Sequence, residues 1–218
     1  MQSNTPTGGK LSKRLIDISP PLGPDIQIWP GDAPYEEKWT FRMSHECPVN
    51  VAEVGFSTHT GAHADGLLHF DETGSPIGKM PLESYIGPCL VVEASGDSGF
   101  VEVADLPAVF DHPPERLLIK TGARASGPWT DKFRSISPNL IEELAKSGGR
   151  LIGTDAPSLD PASSKTLDAH QVVRRHGLAI LENLELGHVT PGPYELIAPP
   201  LSFSNLDASP VRAILREL

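Results

Sequence analysis

Ser57-Thr58-His59-Thr60-Gly61-Ala62-His63-Ala64-Asp65-Gly66-Leu67-Leu68-His69-Phe70 sets His59, His63, Asp65 and His69 on odd-numbered positions within eleven residues. Three imidazoles and a carboxylate are ligands that a borderline divalent metal such as zinc accepts. On a helix His59 and His63 would share a face, but Asp65 would point roughly 200° away from His63 at about 100° per residue. Thr60 is β-branched, and Gly61 would cost roughly 1 kcal/mol in a helix interior. Thr60 also stands where the HExxH metalloproteases carry their glutamate. An extended segment fits better, because alternate side chains then face one side. A straight strand would hold His59 and His63 roughly 13 Å apart at about 3.3 Å per residue, too far for one ion. The chain must therefore bend, and Gly61 can supply a positive φ there. The spacing predicts a strand ending at a turn that gathers His63, Asp65 and His69 around the end of the preceding strand. Four potential ligands so spaced point to a metal centre rather than to unrelated surface residues.

Outward from this motif, Val49 to Phe56 alternates and is expected to deliver the chain as a buried strand. Further strands are expected at Leu15–Ser19, Cys89–Glu93, Leu117–Thr121, Leu151–Thr154, Leu178–Leu181, Tyr194–Ala198 and Val211–Leu215. Ser137 to Gly148 is the clearest helix, with Ser137 at the N-cap, Pro138 at the first helical position and Gly148 as the stop. Thr166 to Arg175 reads as a second helix, Val101 to Phe110 as a short one interrupted by Pro107, and Met80 to Ile86 as a single turn. Seven or eight strands with a few helices between them, and no internal repeat, give an α/β fold. It is one domain with a mixed central β-sheet or barrel-like core flanked by a few helices.

Composition narrows the function. The 218 residues suffice for one full core. A formal net charge of −10 without a basic patch argues against nucleic acid as a partner. Cys47 and Cys89 are too few for a disulfide framework or a zinc ribbon, and Cys89 reads as a small core residue. Residues 1–13 read as a disordered leader without the apolar stretch of a signal peptide, and residues 14–218 as the folded domain. No run is long and apolar enough to span a membrane, so a cytoplasmic protein with no membrane partner is expected. A phosphate-binding glycine loop and a G-x-S-x-G elbow are both missing.

Three residues outside the motif bear on a site. Trp29, just before the Pro30-Gly31-Asp32 turn, reads either as a core plug or as a flat wall for an aromatic ligand. His170 lies in the second predicted helix and can be a surface residue or a ligand. Glu182 ends the apolar run from Leu178 to Leu181, where a buried carboxylate needs a cation or several hydrogen bonds; a loop carboxylate is the other reading. His45, His112, His176 and His188 read as surface or loop residues.

From about Leu15 onward the chain resembles the bacterial kynurenine formamidases (arylformamidases) of the metal-dependent cyclase family. Their pattern H-x-G-x-H-x-D-x-x-x-H is met by His59, Gly61, His63, Asp65 and His69. The likeness extends to Trp29-Pro-Gly-Asp32, Cys47-Pro-Val-Asn50, Gly153-Thr-Asp155, Leu159-Asp-Pro161, Asp168-Ala-His170, Ile180-Leu-Glu182, Tyr194-Glu-Leu-Ile-Ala198 and Leu206-Asp-Ala-Ser-Pro210. The resemblance implies a cyclase-family, swivelling β/β/α-like domain, commonly a homodimer. It implies that His59, His63 and Asp65 bind one zinc and that Asp65, His170 and Glu182 bind a second, manganese being an alternative ion. His69 would shuttle protons and Trp29 would contact substrate. Gly66-Leu67 stand where family members commonly have Ala-Pro, which bears on how His69 is presented.

The activity implied is hydrolysis of N-formyl-L-kynurenine to L-kynurenine and formate in tryptophan degradation. Zinc lowers the pKa of bound water from about 15.7 to near 7, and the resulting hydroxide would attack the formyl carbon. A histidine with an ordinary pKa of about 6.5 can then hand a proton to the leaving arylamine. Two rivals remain: a related amidase opening a cyclic amide such as isatin with one manganese, and a non-catalytic metal-binding protein.

Overall fold

The computed structural model describes residues 13–97, 99–107 and 109–218. Of the expected leader, residues 1–12 lie outside that range. The strands in chain order are β1 (Leu15–Asp17), β2 (Glu36–Phe41), β3 (Val51–Gly55), β4 (His63–Asp65), β5 (Ile86–Glu93), β6 (Phe100–Val101) and β7 (Arg116–Lys120). After β8 (Ser135–Ile136) come helix α1 (Pro138–Lys146), β9 (Leu151–Thr154) and helix α2 (Asp168–His176). The chain closes with β10 (Ala179–Glu182), β11 (Gly192–Ile197), β12 (Ala208–Pro210) and β13 (Ile214–Glu217).

Nine strands form one mixed sheet in the order β1-β13-β11-β5-β7-β9-β10-β4-β12. The middle pairs β5–β7, β7–β9 and β9–β10 are parallel, and the flanking pairs are antiparallel. The sheet curls into a half-barrel with two helices, the single mixed domain expected. Alternation along the strands sorts their side chains into two cores. Leu117, Ile119, Ile152 and Ile180 pack with Leu140, Ile141 and Leu144 of α1 and Val172 and Val173 of α2. Leu118, Leu151, Leu181, Leu196 and Leu215 pack on the opposite face with Tyr85 and Ala64. Cys89 belongs to that second core, as expected.

Helix α1 follows its sequence signals. Ser137 Oγ accepts the N–H of Leu140, and Pro138 opens the helix where its missing N–H costs nothing. The single turn after Met80 is a 3-10 turn at Leu82–Ser84. The helix expected from Val101 to Phe110 is two separate 3-10 turns, Val103–Asp105 and Val109–Asp111.

Two expectations around the motif need correction. Val51–Gly55 is not buried: it pairs with β2 in a two-stranded hairpin, and every residue of both strands is exposed. The ligands also do not cluster beyond the end of that strand. His63, Ala64 and Asp65 are themselves a strand, inserted between β10 and β12. The segment reads as a buried strand because Ala52, Val54 and Phe56 alternate with Glu53 and Gly55, yet among the described residues only β2 pairs with it.

Candidate metal centre

Gly61 takes φ of +66°, the bend the sequence predicts, and turns the chain from His59 into β4. Within β4 the even residue Ala64 enters one core, while His63 and Asp65 face the side on which α2 packs. The register of β4 with β10 sets Glu182 directly opposite His63. Side chains opposite one another on paired strands project to the same face. His63, Asp65 and Glu182 therefore converge by sheet geometry alone, and α2 brings His170 down onto them.

All four are 3% exposed or less. His63 Nε2 lies 3.6 Å from Asp65 Oδ1 and 3.4 Å from Glu182 Oε2. His170 Nε2 lies 3.6 Å from Asp65 Oδ2 and 3.6 Å from Glu182 Oε1. Yet His63 Nε2, His170 Nε2 and both oxygens of Asp65 have no hydrogen-bond partner among the described residues. Buried polar atoms are rarely left so, because each one costs about 1–3 kcal/mol. Ligands at about 2.0–2.1 Å from a tetrahedral zinc stand roughly 3.3–3.4 Å from one another. The observed separations match that spacing, so the donor set fits a divalent ion.

The far nitrogens of the imidazoles are all engaged. His63 Nδ1 is 2.8 Å from the Gly61 carbonyl, and His170 Nδ1 is 2.6 Å from Asp160 Oδ2. His59 Nε2 is 2.9 Å from Asp207 Oδ2 while its Nδ1 lies 3.2 Å from Asp65 Oδ1. Each ring thus engages an outer partner through one nitrogen and aims the other at Asp65 or Glu182, the usual orientation of metal-binding histidines. Glu182 Oε1 also accepts the N–H of Leu159 at 2.7 Å.

Asp160 does two things. It accepts the backbone N–H groups of Ala169 and His170 as well as the His170 ring. Leu167, before α2, has φ of +50° and offers no side-chain cap, so Asp160 supplies the acceptor for the first turn. Burial by itself would raise the Asp160 carboxyl, but these donors hold it below its ordinary value.

The electrostatics point the same way. Burial opposes charge on His59, but the carboxylates of Asp207 and Asp65 push its pKa up to about 10. Burial likewise opposes charge on His170, but Asp160 and Asp65 push it up to about 10. Asp65 is fully enclosed, which would raise its carboxyl, yet His170 and His59 hold it well below the usual range. Concentrated negative charge thus draws protons onto the imidazoles, and a divalent cation can replace those protons.

His69 sits in the 3-10 turn Leu67–His69, exposed at the rim of the site, with Nδ1 3.5 Å from Asp207 Oδ2. Its ring lies 4.3 Å from that of His59, and His59, Asp65 and His69 each offer a ligand atom within 4.8 Å of the others. His63, Asp65 and Glu182 form a second such group. Gly66-Leu67 leave the turn well held: His69 N–H bonds the Gly66 carbonyl and Leu68 N–H bonds Ser75. A Cβ on Gly66 would lie 2.6 Å from the Ile77 nitrogen and 3.0 Å from the Asp207 carbonyl, so glycine permits this close approach.

His59, His63, His69, His170, Glu182 and Asp207 line a cavity of about 390 Å³. Trp29 is part of its wall rather than a core plug, and Trp129 stands beside it at 4.9 Å between ring centroids. The two rings are held together by an Ile26–Ser126 bridge and by hydrogen bonds from Gln27 to Ala125, Ser126 and Pro128. His45, His112, His176 and His188 are all exposed. Sequence reasoning gave no role to Asp160, Asp207 or Trp129. The first two lie in segments that carry the family likeness, but nothing local marks which histidine each would meet. Trp129 gives no sequence signal at all.

A family model described as "Putative cyclase" matches residues 16–161. A solved structure described as "The Structure Of Potential Metal-Dependent Hydrolase With Cyclase Activity" is 23% identical, with a TM-score of 0.78 over 94% of this chain and 98% of that one. Isatin hydrolase A from Labrenzia aggregata, bound to benzyl benzoate, is 22% identical with a TM-score of 0.76, covering 94% of this chain and 93% of its own. Isatin hydrolase A from Ralstonia solanacearum is 18% identical with a TM-score of 0.75, covering 94% and 92%. These likenesses establish a shared fold.

Proposed function

Since the chain belongs to the cyclase family, we propose that it is a metal-dependent amide hydrolase converting N-formyl-L-kynurenine to L-kynurenine and formate. The observation that carries the metal-dependent part is the set of buried, unpartnered donors on His63, Asp65 and His170, spaced as ligands of one centre. We assign His59, His63, Asp65, His170 and Glu182 as the metal ligands, with zinc as the ion and two ions per chain. A homodimer is part of the same reading, and the exposed Trp39, Phe41, Val51 and Val54 of the β2–β3 hairpin are consistent with it.

When bound, zinc supplies Lewis acidity that polarises a carbonyl and acidifies water. The chain's own groups supply the rest. Trp29 and Trp129 offer flat apolar surface for the aniline ring. Hydrolysis adds the oxygen of water to the formyl carbon, breaks the C–N bond and leaves an arylamine that must gain a proton. His69 reaches the cavity and is the histidine assigned to deliver that proton. The choice of an aryl formamide rests on the sequence likeness to the kynurenine formamidases and on the paired tryptophans.

The structural likeness to isatin hydrolases makes the cyclic amide isatin the second substrate to test. The experiment follows hydrolysis of N-formyl-L-kynurenine and of isatin by chelator-stripped protein as zinc is added back. Return of formamide hydrolysis, saturating near two equivalents, is expected. Saturation near one equivalent would remove one ion from the assignment. Turnover of isatin alone would transfer the reading to cyclic amides, and no turnover of either would sink it.

A further inference from the structure

Asp207 lies on no element that the motif predicts, yet it meets both histidines at the mouth of the site. Its Oδ2 stands 2.9 Å from His59 Nε2 and 3.5 Å from His69 Nδ1. Its Oδ1 accepts the Thr58 hydroxyl at 3.1 Å, and its backbone carbonyl accepts the Gly66 N–H at 2.7 Å. The neighbouring Leu206 carbonyl accepts the Ile77 N–H at 3.0 Å. The carboxylate is therefore fixed from both ends, through its backbone to the exit of β4 and through its side chain to the turn before it. The absence of a Cβ on Gly66 is what lets these two segments come so close.

A neutral imidazole has one N–H and one lone pair, and a hydrogen-bonded carboxylate decides which nitrogen carries the proton. With His59 Nε2 held by Asp207, Nδ1 is the nitrogen that faces Asp65 and that an ion would take as ligand. Nδ1 of His69 lies 3.5 Å from the same oxygen, within reach of its charge without a hydrogen bond, which leaves Nε2 for proton transfer. We infer that Asp207 is a positioning residue that orients a metal ligand, His59, and the proton carrier, His69, through one carboxylate oxygen. The inference rests on the metal-centre reading above and adds to it a residue that acts through the two histidines.

The test measures zinc affinity, by competition with a chromophoric chelator, and kcat and KM at saturating zinc for wild type, Asp207→Ala and Asp207→Asn. Asp207→Ala is expected to weaken zinc about 10–100-fold. At saturating zinc it should lower kcat roughly 10²-fold, as misplacement of a reacting group does, with KM little changed. Asp207→Asn keeps an acceptor for His59 but loses the charge facing His69. It should recover most of the zinc affinity while kcat stays low. Zinc binding in Asp207→Ala equal to wild type overturns the inference, as does equal loss of affinity and turnover in both variants. A wild-type protein that takes up no zinc overturns the metal-centre reading instead, before either variant is compared.

Discussion

Glu182 of β10 stands directly across the strand pair from His63 of β4, with 3.4 Å between Oε2 and Nε2 and no hydrogen bond from that nitrogen to any described residue. Two buried groups held this close without bonding are complementary to a third body between them. Replacing Glu182 by Gln should abolish most metal uptake, because the amide loses the charge that offsets a divalent ion. Metal analysis of the purified variant against wild type reads this directly.

Stability should follow metal. Asp65 and Glu182 are buried carboxylates, and stripping an ion leaves their charge opposed only by protonated histidines. A ligand at about 100 times its Kd stabilises a protein by about 2.7 kcal/mol. Chelator-treated protein should therefore melt lower than protein with zinc restored, and Asp65→Ala should show no zinc-dependent rise. A rise of equal size in Asp65→Ala would remove that residue from the shell.

His69 is assigned to proton transfer, although its ring also comes within ligand distance of His59 and Asp65. His69→Ala should keep its metal and lose about 10²–10⁴-fold in rate, the range of general acid–base catalysis. Loss of metal along with activity would instead make His69 a ligand.

Asp160 joins two functions that a single substitution can expose. Asp160→Asn cannot accept from the His170 ring and both first-turn N–H groups of α2 as the carboxylate does. Metal affinity should fall about 10–100-fold, as for other outer carboxylates behind metal-bound histidines. Unfolding in urea should show a loss of about 1–3 kcal/mol even in stripped protein, from the buried donors left unpaired.

Ser137→Ala removes the cap of α1 at a residue that does not line the cavity. A loss of about 1 kcal/mol in urea unfolding, with metal content and turnover unchanged, is expected. A change in turnover would show that α1 reaches the site through the shared core.

The parts governed by short-range rules are legible in local residue order. Period-two spacing put His63 and Asp65 on one face, Gly61 supplied the bend, and Ser137, Pro138 and Gly148 bounded α1. These depend on backbone geometry within a few residues. Which distant group meets which histidine follows only from the assembled fold. Asp207 reaches His59 from 148 residues along the chain, and Asp160 reaches His170 from outside its helix. The order β9-β10-β4-β12 brings Glu182 onto His63. Strand order and pairing register are set by burying two cores at once, and no local pattern encodes them. The same limit explains Val51–Gly55: alternation marks a strand, but only the assembled sheet shows that its faces stay exposed.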